Sequence, residues 1–542
     1  MPITQEEVQE ILSDFEYLDN ENANYRAYTQ DLADFVVPRK AWINSIRSKG
    51  ERIKFNFLYD TTATRALRIM AAGFHSNLTN PTSRWFAFET HNRDLMEIWA
   101  VRDWLRKCED KIFSVFNGSN FYNVIQEFYT DFGAFGTGTF LMLEDSKEVV
   151  QFQEIPVQEV NRVLDTNGNL IGMYRKFRLR AMQAYRLWGE NVGKSVLEGL
   201  KENKYQEYEF VHHVSERYSR DVSKSDAFNM KYRSLWIALK DQHVIQESGF
   251  YEMPYMSEVF YRDANDPNGF SPAMDNFATI KLVNAMKKTI IRAGMKQADP
   301  PLVMPRKGFI LPLNFNPAAM NYRDDSTSND DIQQLPVGKN MGINVDLIQL
   351  EQKNIEEGMF VPLFRALAEI TKQMTIPEVQ RRVAENMVLL GPVINRAIHG
   401  ILDPTIERMF NILYRNGDIP TPPEEIQEQN FKPVYLSPLA KAQRASEIGD
   451  IQSFLSDVSA IASVLPSALD NVDEDETVNI LSRVRGIPPR MLRDQEVVEK
   501  IRKQRAEQEQ MMQALQAGQS IAGIAKDGSQ AQQMSKQAGS GV

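Results

Sequence analysis

The run from Asn276 to Ala298 contains no acidic residue, in a chain where 72 Asp and Glu outnumber 62 Lys and Arg. It belongs to SPAMDNFATIKLVNAMKKTIIRAGMKQ, residues 271–297, whose start is marked for a helix. Ser271 suits the N-cap, Pro272 the first helical position, and Asp275 the first turn, where the helix dipole favours an anion. At about 100° per residue, Lys281, Lys288, Arg292 and Lys296 fall within about 80° of one another, and Phe277, Ile280, Ile291 and Met295 supply apolar contacts elsewhere around the helix. At about 1.5 Å per residue this basic stripe covers about 22 Å, two-thirds of a turn of duplex DNA. A solvated or salt-bridged face has the same pattern, so the stripe alone admits both readings.

The 542 residues allow roughly three or four domains. The net charge of -10 excludes a non-specific nucleic-acid coat, which needs a large cationic excess, so any DNA contact must be local. Cys108 is the only cysteine, which rules out an intramolecular disulfide framework and suits a reducing compartment. The start, MPITQEEVQEILSDF, lacks the basic and apolar regions of a signal peptide. The apolar run MVLLGPVI at 387–394 is far shorter than the ~20 residues that cross a bilayer, so a soluble chain is expected.

Residues 4–37 read as one long helix, opened by a Thr4/Glu7 capping box, closed before Pro38, and lined with the packing aromatics Phe15, Tyr17, Tyr25, Tyr28 and Phe35. Asp60 or Thr61 then caps a helix carrying Ala63, Leu67, Met70 and Ala71, and Asn80-Pro81 turns the chain before Trp85 and Phe86. Helices follow over 95–116 and 121–132. Strands are expected within 140–177, around a hairpin at 165–169, and again at 209–218, 235–239 and 244–246, with two short helices separated by 189–193.

Three features that resemble catalytic or ligand sites fail on context. Gly133, Gly136 and Gly138 follow a helix and precede a strand, the reverse of the order that aims backbone N–H groups at phosphate. WGENVGKS at 188–195 approaches a P-loop, but Trp188 stands at the first glycine position and a helix is expected before it. His212 and His213 are adjacent, hence on opposite faces of a strand, with no spaced Cys or His to complete a metal set. No catalytic residue, cofactor site or metal site is assigned.

After the basic helix, Asp299-Pro300-Pro301 ends it, and 302–345 reads as a small strand-containing excursion with apolar runs at 302–304 and 309–311. A second helical region over 347–373, bent near Gly358 and Pro362, would return as the antiparallel partner. A break at 375–377 precedes helices with Val383, Met387, Leu390, Ile394, Ile398 and Ile401 inward, interrupted at Gly391-Pro392 and Asp403-Pro404. Beyond 431 the chain is mainly helical. Residues 496–516 are charged enough for a partial coiled coil, and 517–542 are rich in Gly, Ser, Gln and Ala.

Several separated stretches resemble the head-to-tail connector, or portal, proteins of short-tailed bacteriophages, the podoviruses. They are LYDTTATRALRIMAAGFHSNLTNPTSRWF at 58–86, NFYNVIQEFYTDFGAFGTGTFL at 120–141 and GFSPAMDNFATIKLVNAMKKT at 269–289. DPPLVMP at 299–305, LLGPVINRAIHGILDPTIERMFNIL at 389–413 and YLSPLAKAQR at 435–444 complete the set, in the family's order.

The resemblance implies an α+β portal-type fold, mainly α overall. Mapped onto it, residues 1–270 would be a mixed α/β wing, 271–298 a first stem helix, 299–346 a small clip, and 347–373 a second stem helix. Residues 374–430 would hold a tunnel loop, at Met374, Thr375, Ile376 and Pro377, with further wing helices; 431–516 would form a helical crown and 517–542 a flexible tail. Identical subunits, usually twelve, would ring one capsid vertex at the head-tail junction of the virion, after assembly in the host cytoplasm. Double-stranded DNA would pass through during packaging and ejection.

Implied partners are the terminase large subunit, the major capsid protein, scaffolding protein and tail adaptor proteins, with no membrane. Some of Lys281, Lys288, Arg292 and Lys296 would face the channel, or else they would pair with Glu351, Glu356 and Glu357 of a neighbour. Charge reversal at Lys288 and Arg292 separates the two: altered packaging with an intact ring favours the channel, and loss of the ring favours pairing. The competing functions are a tail or adaptor protein outside the vertex and a DNA-packaging NTPase, which would require the P-loop that Trp188 spoils.

Overall fold

The computed structural model describes residues 3–44, 56–92, 95–96, 98–224, 226–263, 266–298, 302–303, 333–334, 341–369, 390–426, 431–436, 445–462, 472–475, 477–478, 498, 500–505 and 507–508. It divides into two compact units, Met1–Ala87 with Lys107–Pro420 and Pro433–Ser446, and Phe88–Arg106 with Thr421–Lys432 and Glu447–Val542.

The N-terminal segment forms two helices where one was expected. Helix α1 (Gln5–Glu21) opens on the Thr4/Glu7 capping box, and α2 (Ala23–Val36) stops before Pro38. The break is at Asn22, whose buried side chain donates to Asn161 Oδ1 and accepts from Asn268 Nδ2, both at 2.6 Å. An unsatisfied buried amide costs about 1–3 kcal/mol, so the offset that satisfies Asn22 outweighs an unbroken helix.

Helix α3 (Thr62–Leu78), strand β1 (Phe86–Thr90), α4 (Trp99–Gly118) and α5 (Phe121–Phe135) follow. In α5 almost every residue of the C-terminal half is buried. Its Phe128, Tyr129 and Phe132 meet Phe74, Phe140 and Phe260 in edge, tilted and stacked pairs, and burial of each such ring is worth about 1.5–3 kcal/mol. The glycines at the end of α5 are there for close approach. Gly136 ends the helix at φ +76°, and a Cβ on it would lie 2.2 Å from the carbonyl oxygen of Gly269. A Cβ on Gly133 would lie 2.1 Å from Met70 Cε.

Strands β2 (Thr137–Asp145) and β3 (Val149–Glu154) lead to β4 (Val160–Leu164) and β5 (Leu170–Arg180), joined by the expected hairpin, in which Asp165 N–H donates to the Asn169 carbonyl at 2.9 Å. Helices α6 (Ala181–Trp188) and α7 (Lys194–Glu202) then precede β6 (Glu207–Glu216), β7 (Tyr232–Ala238) and β8 (His243–Phe250). These make a five-stranded antiparallel sheet, ordered β4-β5-β6-β7-β8. Alternation sorts its faces. Tyr174, Val211, Leu235 and Ile237 pack on Val8, Leu12 and Phe15 of α1, while Phe177, Phe210 and Ile245 pack on Ala184 and Val196 of α6 and α7. Strands β9 (Tyr255–Val259), β10 (Tyr261–Asp263) and β11 (Asp266–Phe270) were not anticipated. β9 joins β2 and β3 in a second antiparallel sheet, ordered β3-β2-β9.

The chain next forms α8 (Pro272–Asp275), α9 (Phe277–Ala298), a two-residue pairing of β12 (Leu302–Val303) with β13 (Gln333–Gln334), and α10 (Met341–Gly358). The second long helix thus begins at Met341 rather than near 347. The expected bend is a full break after Gly358. Phe360 takes a left-handed φ of 57°, and α11 (Val361–Glu369) restarts with Pro362 in its first turn, where a missing N–H costs nothing.

Residues 390–397 are helical and run into a π turn, Ile398–Leu402, then α12 (Asp403–Arg415). Asp403-Pro404 therefore does not interrupt the helix. The widened turn, with Asp403 N–H bonded to the Ile398 carbonyl, absorbs the proline. Strand β14 (Phe431–Tyr435) and helix α13 (Ala445–Ala462) complete the elements named here. The architecture is α+β, mainly helical with antiparallel sheets. Within the second unit, Phe88 and Trp104 set ring edges against Phe431 at 5.1 and 5.8 Å, and Arg502 holds Asp475 through two bonds of 2.7 Å.

Candidate functional site

The basic helix starts as its sequence dictates. Ser271 Oγ accepts from Met274 N–H at 3.1 Å and donates to the Ala134 carbonyl at 2.7 Å, which fixes the start of α8 to the end of α5. One turn later Asn276 offsets the helix, its amide donating back to the Pro272 carbonyl at 2.7 Å. α9 then buries Phe277, Ile280, Val283 and Asn284, with Tyr28 and Phe35 edge-on to Phe277.

The four cations of the stripe fall into two environments. Lys281 Nζ lies 2.9 Å from Asp31 and 4.3 Å from the Phe277 ring centre, and Lys288 Nζ lies 5.8 Å from the Tyr59 ring. The Lys281–Asp31 pair is largely solvated and worth at most about 1 kcal/mol. Arg292 and Lys296 are exposed, and among the described residues neither forms an ion pair. Ile291 and Met295, expected to make apolar contacts, are instead 42% and 66% exposed. They lie beyond Asn284, the last buried residue of α9.

The basic residue that the stripe missed is the one most firmly held. Lys287 pairs with Asp60, just before α3, and Gln352 of α10 donates to the same carboxylate at 2.9 Å and to Thr62 Oγ1 at 3.0 Å. Asp60 also accepts from Thr62 N–H, the first of α3, at 3.1 Å, one residue before the N-cap position, Thr61. Asn284 Oδ1 receives the N–H groups of Tyr59 and Asp60 at 2.7 and 3.1 Å. Burial alone would raise the Asp60 carboxyl, but the hydrogen bond and charge of Lys287, with Thr62 and Gln352, hold it below the usual range. This knot ties both long helices to α3. An asparagine within an otherwise apolar turn, at Asn284, was the one sequence cue to it.

On α10, Glu356 is engaged within its own chain by Arg365 at 3.1 Å, Glu351 accepts from Asn354 at 3.1 Å, and Glu357 is exposed. Met374, Thr375, Ile376 and Pro377 lie outside the described residues.

The sites set aside on sequence grounds have structural occupants. Asp241 fills the start of α7, accepting from Ser195 N–H at 3.0 Å and from Ser195 Oγ at 2.5 Å, where a phosphate would have to sit. His212 is buried, bonded to Tyr255 Oη at 2.6 Å and Ser234 Oγ at 2.9 Å and stacked on Trp236 at 3.7 Å. His213 stacks on Tyr174 at 4.0 Å, and burial, with the charge of Arg233 nearby, pushes it down to about 3. Among the described residues no group of three or more His, Cys, Asp or Glu is placed to hold a metal ion, and no helix is long and apolar enough to cross a membrane.

Comparison with known proteins accounts for nearly the whole chain. A family model described as bacteriophage head to tail connecting protein matches residues 8–492. The chain is 29% identical to a probable portal protein of Bordetella phage BPP-1 over 512 residues, covering 92% of this chain and 91% of that one. It is 28% identical to a portal protein of Salmonella phage epsilon15 over 535 residues, covering 97% and 96%. With the α+β fold and the paired long helices, these matches show that the chain belongs to the bacteriophage head to tail connecting protein family.

Proposed function

We propose that this head-tail connecting protein works as a portal: copies close into a ring, twelve in number, at one capsid vertex, and α9 lines the channel through which double-stranded DNA is packaged and ejected. Its partners there are the terminase large subunit, the major capsid protein, scaffolding protein and tail adaptor proteins. No bond is made or broken. A conduit must guide DNA without gripping it, because every phosphate neutralised by a fixed cation adds salt-dependent affinity. A chain of net charge -10 with two exposed cations near the end of one acid-free helix meets that requirement.

The observation that carries the channel assignment is the split within the stripe. Lys281 and Lys288 are taken up by Asp31 and Tyr59, which leaves Arg292 and Lys296 as the cations presented outward. The residues to reverse are accordingly Arg292 and Lys296, in place of Lys288 and Arg292. Capsids assembled with Arg292→Glu and Lys296→Glu are expected to retain less full-length DNA than the wild type. The salt dependence of retention should weaken by a log-log slope of about 0.9 for each phosphate that no longer meets a fixed cation, with ring mass unchanged. Normal retention with an unaltered salt slope would remove these residues from the channel, and loss of the ring would give them to a subunit contact.

A further inference from the structure

Packing aligns α10 against α9. A Cβ on Gly358 would lie 2.3 Å from the Asn276 side chain, and Gln352 reaches the carboxylate that holds Lys287, so α10 runs antiparallel to α9. Counted outward from Gln352, Leu350 and Leu347 lie about 3 and 7.5 Å along α10; counted outward from Lys287, Ile291 lies about 6 Å along α9. Val345, at about 10.5 Å, and Met295, at about 12 Å, form a second level.

All five side chains are left in water. Leu350 is 54% exposed, Leu347 43%, Ile291 42%, Met295 66% and Val345 42%. Leu347 and Leu350 are turned about 100° and 160° away from Ile348, which is buried, so the pair's own packing cannot cover them.

Two properties select the occupant. Rotation about a ring axis parallel to the helices leaves each residue at its own height, so residues at matching heights are the ones that meet. The charges of the two helices are also opposite. α9 has five cations and no acid, and with Lys281 and Lys287 held by Asp31 and Asp60 it presents Lys288, Arg292 and Lys296, whereas α10, with Glu356 held by Arg365, presents Asp346, Glu351 and Glu357 against Lys353. Opposite signs favour α10 of one copy beside α9 of the next and disfavour α9 beside α9, which makes the contact head-to-tail and able to close.

We propose that Leu347 and Leu350 of one copy pack against Ile291 and Met295 of the next, so that this strip is a ring contact. The inference rests on the ring assignment above and adds the faces that meet. The full chain carrying Leu350→Cys with Ile291→Cys, or Leu347→Cys with Ile291→Cys, should form a ladder of disulfide-linked multimers under mild oxidation, and each single variant should not. Cys108 does not interfere, because it is buried and its thiol is pushed up to about 12. Leu350→Asp should raise the concentration needed for assembly more than tenfold with no fall in the Tm of the unassembled subunit, since the side chain is exposed there. Rings that assemble, as seen by electron microscopy, yet give no ladder with either pair would overturn the contact and leave the ring standing. Wild-type protein that forms no ring would overturn both.

Discussion

Replacement of Lys40 by methionine is expected to destabilise the fold by about 3–5 kcal/mol at neutral pH, the cost of leaving a buried charge without its partner. Lys40 Nζ lies 2.5 Å from Asp131, 2.6 Å from Glu154 and 3.1 Å from Glu127. Glu127 would retain Arg39 at 2.7 Å, but Asp131, whose side chain is 3% exposed, would be left in the core of α5 with no cation. Burial already pushes the Asp131 carboxyl up to about 6 with Lys40 present, and removal of Lys40 drives it higher. The folded variant would therefore take up a proton that the unfolded chain does not, and its deficit should shrink as the pH is lowered from 8 towards 6. Asp131→Asn in the same chain should recover most of the loss. Denaturant unfolding of the two variants checks this, and a loss below about 1 kcal/mol for Lys40→Met would show that the pair contributes little.

Acid should weaken the wild-type fold through its two buried histidines. His213 is held down to about 3, and His212 well below 6.5, in both cases by burial first and neighbouring positive charge second. A histidine with a depressed folded value contributes stability that is fully present above its unfolded value, near 6.5, and is lost as the pH falls below it. Each contributes about 1.4 kcal/mol per pH unit, so His213 alone accounts for about 2 kcal/mol between pH 6.5 and 5, and the two together for about 4. Asp131 works in the opposite direction, since its raised value favours the folded state as the pH drops below about 6, and it offsets part of one histidine's share. His213→Phe keeps a ring against Tyr174 and removes one titration, so the stability of that variant should fall less steeply below pH 6.5. Equal slopes for the variant and the wild type would contradict the buried neutral imidazole.

Much of this architecture is written locally, and the departures are instructive because tertiary partners cause them. The Thr4 and Ser271 caps, the 165–169 hairpin and the strands β6, β7 and β8 follow from residues within a few positions of one another. The break at Asn22 depends on Asn161 and Asn268, far away in the chain, which no periodicity reports. The π turn at Ile398–Leu402 hides behind an Asp-Pro pair that reads as a stop. Strands β9, β10 and β11 carry too few alternating residues to stand out between a tight turn and a strong helix signal.

For the basic helix, the position and charge of the stripe were legible, but its division was not. Angle alone groups Lys281 with Arg292; only Asp31 and Phe277, packed beside Lys281, separate them. Lys287 fell off the stripe by angle and is the cation that anchors the helix, through Asp60.

Electron microscopy of the purified protein decides whether copies of this chain close around an opening. Cyclic particles are expected, with an axial opening wider than a DNA duplex, about 20 Å, lined by α9. Isolated subunits that persist under capsid-assembly conditions, or closed particles with no axial hole, would contradict it.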